Sequence, residues 1–274
     1  MRALAGEFTL KRLCAVLEVA RSSLYYGSAP KPGEDLEPLK NIIRVYRVTF
    51  PRAGVRPMYH YVISYYTRYS RRQVRQAYLE LGLLRKPRPR KARTTDSRNT
   101  ECRFPNLLKG LKVERVHQVW VADVTQFLIK RRFAYLALLM DSYSRMIVGW
   151  SLSFSNDTSL VTDALMMGFQ SGLPEIHHSD QGSTYGSKAY AQILFDRRIT
   201  PSMAAIGKPE ENGQAERLNR TVKEEEVQLS EYITLEQAYD SLAQFILIYN
   251  TMRIHQSLGY RAPAEVFEPQ PGPP

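Results

Sequence analysis

The sequence predicts a mixed α/β core that follows small all-α modules. From residue 113 onward, the apolar runs follow each other in the order strand, strand, strand, helix, strand, helix, strand, helix. Residues 1–112 instead show short helical patterns and hold 24 Lys and Arg against 8 Asp and Glu, whereas residues 113–274 hold 14 against 19. A strongly basic region joined to a mildly acidic one is typical of a nucleic-acid-binding region beside a metal-dependent catalytic region.

Size and composition narrow the protein class further. A chain of 274 residues has room for one sizeable core plus a smaller domain. No uninterrupted apolar run approaches the ~20 residues that cross a bilayer, and residues 1–14 lack the apolar segment of a signal peptide. Cys14 and Cys102 are too few for a disulfide framework or a Cys/His zinc module. We therefore expect a protein of the reducing cytoplasm with no membrane partner.

Residues 1–30 predict a helix-turn-helix-like segment. The apolar residues of its first helix share one face: Leu10, Leu13, Cys14 and Leu17. A break at 18–20 is followed by a short second helix that begins at Arg21. Small helical hairpins are also common as purely structural elements, so a DNA contact through Arg21 and Ser23 is one of two interpretations. A Pro- and Gly-containing linker at 29–33 follows.

Residues 36–84 predict a second helical DNA-binding module. Its helices are expected at 37–46, through Tyr59 and Val62, and from an N-cap at Ser70 to a stop at Gly82. Three arginines are predicted on the outward face of the third helix: Arg71, Arg72 and Arg75. We predict that they contact DNA phosphates; the alternative is a solvated helix face.

Residues 85–112 predict a basic linker. Six of the nine residues in 85–93 are basic, and the prolines among them forbid a helix. We predict an extended segment that contacts DNA phosphates without base specificity. Its predicted contacts are Arg85, Lys86, Arg88, Arg90, Lys91 and Arg93. The alternative is a flexible tether, and the two interpretations are compatible.

The core at 113–232 and a C-terminal helix and tail at 233–274 complete the chain. Strands are predicted at 119–129, 133–141, 146–154, 175–178 and 199–204, and helices at 158–169 (capped by Thr158), 188–197, 211–226 and 235–252. Asp123 lies in the first strand, Asp180 follows the fourth, and Glu216 lies in a helix with 35 residues between it and Asp180. Three carboxylates without a His/Cys ligand set suit Mg²⁺ or Mn²⁺.

Four motifs carry a resemblance to a known family. They are WVADVT at 120–125, HSDQGSTY at 178–185, NGQAE at 212–216 with Lys223 seven residues after Glu216, and YNTMRIHQSLGY at 249–260 followed by Ala262-Pro263. Together they resemble the D,D(35)E signature of the retroviral-integrase superfamily. More narrowly, they resemble the second-frame (OrfB) product of IS-three family insertion-sequence transposases. This resemblance implies a ribonuclease-H-like core with a mixed five-stranded sheet and flanking helices.

The resemblance also implies a site. Asp123 and Asp180 would lie side by side at the carboxyl edge of the sheet, and Glu216 would approach from a helix. Such like charges raise each other's pKa unless cations neutralise them, so we expect two Mg²⁺ or Mn²⁺ ions held by these catalytic acids. Three residues share the face of Glu216 at helical spacing and are predicted DNA contacts: Asn212, Arg220 and Lys223. His178 lies on the same side of its strand as Asp180, either at the site or packed in the core.

The activity implied by the family is DNA cleavage at insertion-sequence ends, followed by transfer of the freed 3′-OH into target DNA. No covalent protein–DNA intermediate forms. The implied partners are double-stranded DNA, further copies of the chain and a first-frame (OrfA) product. Two alternative functions are a catalytically idle DNA-binding regulator and a ribonuclease-H-type nuclease. The complete acid triad argues against the first, and the helical modules and the motif at 249–263 argue against the second.

Overall fold

A computed structural model describes residues 35–66, 69–84, 104–205 and 208–268. The predicted helix-turn-helix at 1–30 lies outside these residues. So does the basic stretch at 85–93 with all six of its predicted DNA contacts. Within the described ranges, no helix is both long enough and apolar enough to cross a membrane.

Three helices form the module that precedes the core: α1 (Glu37–Thr49), α2 (Val55–Tyr66) and α3 (Arg71–Glu80). Ser70 caps α3 with a capping box: its Oγ accepts from the Gln73 backbone N–H at 3.3 Å, and the Gln73 side chain accepts from the Ser70 N–H at 2.7 Å. Gly82 follows the helix with φ 66°, a left-handed conformation that suits glycine. The predicted cap and stop are both confirmed.

Apolar side chains from all three helices meet in one small core, which includes Leu39, Ile43, Met58, Val62, Val74 and Tyr78. Arg71, Arg72 and Arg75 lie on the exposed side of α3, as the spacing predicts. This module also packs against the rest of the chain, because Ile248 joins its core and the rings of His60 and Tyr260 stack.

The core contains a five-stranded mixed sheet. Its strands are β1 (Val119–Ile129), β2 (Arg132–Asp141), β3 (Ile147–Ser153), β4 (Ile176–Ser179) and β5 (Thr200–Met203), in the spatial order β3-β2-β1-β4-β5. β2 is antiparallel to β1 and β3, whereas β4 runs parallel to β1 and β5. This topology confirms the predicted ribonuclease-H-like fold.

Five α-helices accompany the sheet: α4 (Thr158–Gly168), α5 (Lys188–Asp196), α6 (Gly213–Val222), α7 (Leu235–Thr251) and α8 (Pro263–Phe267). The predicted cap of α4 is wrong by one residue. Asp157 is the cap, because its carboxylate accepts the backbone N–H groups of Ser159 and Leu160.

The sheet is buried on both faces. On one face, Val121 and Leu138 pack against Leu218 of α6 and Leu242 of α7. On the other, Trp120 and Ala122 pack with residues of α4 and α5, which include Leu160, Leu165 and Leu194. Successive β1 side chains point to opposite faces, so the continuous apolar run at the start of β1 supplies both cores.

The predicted helix at 211–226 is wrong as a single α-helix. A 3₁₀ turn (Pro209–Asn212) precedes α6, and a π-helical turn (Lys223–Val227) follows it. In that wider turn, the Glu225 carboxylate pairs with Arg253 at 2.9 Å, and Glu226 accepts from the Tyr232 hydroxyl at 2.7 Å. These partners come from the segment after α6, so spacing within 211–226 carries no trace of the irregularity. Such turns occur often at functional sites.

Candidate active site

The pairing register of β1 and β4 places Asp123 and Asp180 together. Trp120 pairs with His177 and Val121 with His178. Asp123 and Asp180 each lie two residues beyond the pair Val121–His178, so the two parallel strands deliver them to neighbouring positions. Both aspartates line one pocket of about 260 Å³, which we call the aspartate pocket.

Both carboxylate oxygens of Asp123 accept hydrogen bonds. The backbone N–H of Val124 donates to Oδ1 at 2.9 Å, and the amide of Asn219 on α6 donates to Oδ2 at 2.8 Å. Burial is the largest cause of a raised pKa at Asp123, which reaches about 7. The charge of Asp180 adds to the increase, that of Glu216 adds less, and the two hydrogen bonds oppose it. Bringing the acids together without a cation therefore costs free energy.

The turn after β4 holds Asp180. The backbone N–H of Gly182 donates to its Oδ1 at 3.0 Å, and burial raises the pKa of the carboxyl group. A Cβ added at residue 182 would lie 3.0 Å from that same oxygen, so glycine permits the close approach of this backbone to the carboxylate.

Glu216 lies in the first turn of α6 and is half-buried. It is near enough to raise the pKa of Asp123, but it is not among the residues that line the aspartate pocket. Within the described part of the chain, no group of three His, Cys, Asp or Glu side chains is arranged to hold a metal ion. The structure thus brings the two aspartates together and leaves the third acid on the adjoining helix.

The other residues predicted on the Glu216 face divide into two kinds. Arg220 is exposed, and Lys223 is half-buried at the start of the π-helical turn. Asn212 does not fit the prediction of a DNA contact, because its side chain is only 3% exposed and its amide donates to the Ala122 carbonyl at 3.0 Å. It precedes α6 instead of belonging to it, so helical spacing does not apply to it. Its amide ties the start of α6 to β1 beside Asp123.

His178 takes the second of its two interpretations and packs in the core. It is fully buried, its Nδ1 lies 2.9 Å from Ser202 Oγ, and burial lowers its pKa to about 4. The histidine is therefore neutral at pH 7 and away from solvent.

Sequence reasoning missed Asn219 as a residue of the site. Its side chain is 7% exposed, and its Oδ1 has no hydrogen-bond partner within the described structure. The signal was available, because residue 219 lies three positions after Glu216 and so shares a helix face with it. Tyr185 is a second residue of this site that sequence reasoning missed. It lines the aspartate pocket, and burial raises its pKa well above the ordinary value.

Two protein-family models and several transposases are similar to this chain in sequence. Two models, both described as Integrase core domain, match residues 113–209 and 197–263. The transposase of insertion sequence IS629 from Shigella sonnei is 29% identical over 273 residues, which is 96% of this chain and 92% of that protein. The transposase of IS904 from Lactococcus lactis is 31% identical over 190 residues, or 68% of this chain and 75% of that protein.

One more transposase and one solved integrase structure are also similar to this chain. The putative transposase InsK of IS150 from Escherichia coli is 27% identical over 264 residues, covering 94% of this chain and 93% of that protein. Among solved structures, the HTLV-2 integrase catalytic core in complex with magnesium superposes with a TM-score of 0.46 at 15% identity. That match covers 56% of this chain and 98% of the other.

Proposed function

The chain belongs to the insertion-sequence transposases with an integrase core domain, and from that premise we propose that Asp123, Asp180 and Glu216 are its catalytic residues. The transposase cleaves DNA at the ends of an insertion sequence and joins the freed 3′-OH to target DNA. The observation that carries this assignment is that two half-buried aspartates, each two residues beyond the last pair of β1 and β4, line one pocket, where α6 donates a hydrogen bond to one of them.

The residues of the aspartate pocket fit a pair of Mg²⁺ or Mn²⁺ ions. The donors are carboxylate oxygens, which hard divalent cations prefer. Burial raises the pKa of both aspartates, and a bound cation would favour their charged forms. When bound, two such ions would activate the attacking oxygen and stabilise the leaving 3′ oxygen at phosphorus.

The chain itself orients these acids. Val124 and Asn219 direct the two oxygens of Asp123, and Gly182 directs Asp180. Asn212 and Asn219 attach α6 to β1 at two points, so the helix backbone that carries Glu216 is held in place. Glu216 then completes the acidic set by rotation of its own side chain, which has three torsions.

We further propose that the basic residues outside the pocket bind DNA phosphates. Those in the described structure are Arg71, Arg72, Arg75, Arg220 and Lys223. The six basic residues of 85–93 add contacts that carry no base specificity. Assembly into multimers on DNA and cooperation with a first-frame product belong to the same proposal.

Strand joining by purified protein tests the function. The assay uses Mg²⁺ and labelled duplexes that carry the inverted repeats of the flanking element, and it compares wild type with Asp180→Asn. Asp163→Asn, an exposed aspartate on α4, is the matched control. Loss of a catalytic carboxylate removes several kcal/mol of transition-state stabilisation, so we expect joining to fall by roughly a thousandfold or more. The control should keep its activity.

Joining by Asp180→Asn at the wild-type rate would contradict the assigned site. If neither protein joins but both bind the duplex in a salt-dependent way, the first-frame product is added. Joining restored by that product supports the proposal, and its continued absence identifies a catalytically idle DNA-binding regulator.

A further inference from the structure

A second cavity, of about 960 Å³, borders α6 on another face. The turn after β2, the segment after α7 and the helix itself form its walls. Five residues of α6 line it: Gly213, Gln214, Arg217, Leu218 and Thr221. At about 100° per residue these positions cluster on one side of the helix, away from Glu216 and Asn219. We call this cavity, which also contains Arg145 and Arg253, the arginine cleft.

Arg145 has an unusual backbone in the turn between β2 and β3. Its φ is 66°, a left-handed conformation that glycine adopts more readily than arginine. The nearby carboxylate of Asp141 is already occupied, because it accepts from the backbone N–H groups of His117 and Ser144 and from the Ser144 hydroxyl. Arg145 therefore reaches the cleft half-buried and without that partner.

Cations outnumber acids in the lining of this cleft. Within the described residues, no carboxylate oxygen lies within 4 Å of the side-chain nitrogens of Arg145 or Arg217. Arg253 is paired with Glu225. Glu211, the one acid of the lining, accepts from the Asn106 amide and the Ala205 N–H. Burial lowers the pKa of Arg145, and the charge of Arg217 adds to this effect, while Tyr249 and Asp141 oppose it to a smaller extent.

We propose that the arginine cleft binds a phosphodiester of the DNA backbone, with Arg145 and Arg217 as its ligands. An anionic oxygen offsets the cost of the half-buried guanidinium, and arginine suits phosphate because its donors form a planar fork. The proposal rests on the proposed function only in taking DNA as the source of the phosphate. In this arrangement α6 separates the DNA backbone in the cleft from the carboxylates on its other side.

Duplex binding in EDTA tests the cleft without any contribution from metal or joining. Fluorescence anisotropy over a salt series compares Arg145→Gln and Arg217→Gln with Arg198→Gln. Arg198 is a matched control, since it is exposed, has φ 57° and lies outside the cleft. Loss of a charge-assisted hydrogen bond should weaken binding by about tenfold. The slope of log K against log[salt] should fall by about 0.9 for each lost phosphate contact. The control should match wild type.

Arg145→Gly separates binding from folding. Glycine relieves the left-handed backbone, so we expect this variant to melt no lower than wild type and yet to bind the duplex as weakly as Arg145→Gln. Wild-type affinity and salt slope in both cleft variants would overturn the proposal. Stabilisation of wild type alone by inorganic phosphate, with unchanged duplex affinity in Arg145→Gln, would make this a small-anion site and also overturn it.

These results do not depend on strand joining. If wild type fails to join DNA even with the first-frame product added, but the cleft variants lose affinity in EDTA, the proposed function is wrong and the cleft assignment holds. If joining depends on Asp180 while the cleft variants bind normally, the reverse is true.

Discussion

The aspartate pocket and the arginine cleft differ in charge, size and construction. The aspartate pocket has a volume of about 260 Å³ and forms where the neighbouring strands β1 and β4 meet. The arginine cleft is larger, about 960 Å³, and combines a hairpin turn, a helix face and the segment after α7. The first therefore depends on one strand register, whereas the second depends on the packing of segments that are distant in the sequence.

Two adjacent residues of α6 carry opposite charges: Glu216 lies near Asp123, and Arg217 lines the arginine cleft. Glu216 and Arg217 are neighbours in the sequence, but on a helix they point about 100° apart. The helix thus keeps an acid beside the aspartates and a cation in the cleft, and the two charges do not form an ion pair. The comparison teaches that a single helix can present opposite charges in two different directions.

The largest effect should come from Glu216→Gln, which removes only the charge on the acidic face. We expect strand joining to fall by roughly a thousandfold or more, because the proposed metal ligand is lost, with unchanged duplex binding in EDTA. Glu236→Gln, an exposed acid in the first turn of α7, is the control. Joining within tenfold of wild type would show that the acidic site ends at the two aspartates.

Asn219→Ala should have an intermediate effect, since it removes the amide that directs Asp123 Oδ2. Loss of a residue that orients a metal ligand commonly reduces metal affinity by about 10–100-fold, so the Mg²⁺ concentration for half-maximal joining should rise by at least about tenfold. The measurement is joining over a Mg²⁺ titration. A lower maximal rate with an unchanged Mg²⁺ requirement would contradict this role.

The smallest effect should come from Glu225→Gln, which leaves Arg253 without its carboxylate in the wall of the arginine cleft. We expect the free energy of unfolding to fall by about 1–2 kcal/mol, because the pair is only partly buried, with side chains 23% and 13% exposed. Duplex binding should become tighter and more dependent on salt. Denaturant unfolding and anisotropy measure the two quantities.

Substitution of Arg253, the other member of the ion pair, tests whether the charge of the cleft changes DNA binding. Arg253→Gln should lose a similar amount of stability but should not strengthen DNA binding, because it adds no cation to the cleft. Equal binding by Glu225→Gln and Arg253→Gln would show that the charge of the cleft does not govern affinity.

Elements that depend on local pattern could be predicted from the sequence. The bounds of β1 agree with the prediction at both ends, and the cap and stop of α3 are confirmed at Ser70 and Gly82. Apolar periodicity and helix capping depend on residues only a few positions apart, so both can be identified in the sequence. The π-helical turn after α6 could not be predicted, because the partner of Glu225 lies 28 residues away and those of Glu226 lie 4, 6 and 15 residues away, all beyond the predicted helix.

The two asparagines of the site show the same limit. Asn212 was predicted as a DNA contact from helical spacing, but its amide is bonded to Ala122, 90 residues away. Asn219 was overlooked, although its amide reaches Asp123, 96 residues away. An asparagine in a sequence carries no sign of which distant carbonyl or carboxylate it will meet.

By itself, the sequence determined the order of strands and helices and the motifs that carry the family resemblance. Those features follow from residue type and short-range periodicity. Only the tertiary structure decided the register in which β1 pairs with β4, that burial raises the pKa of Asp123 to about 7, and that Arg145 and Arg217 share a cleft. Pairing register, desolvation and the meeting of charges depend on groups brought together by folding, and their free energies arise only when the chain is packed.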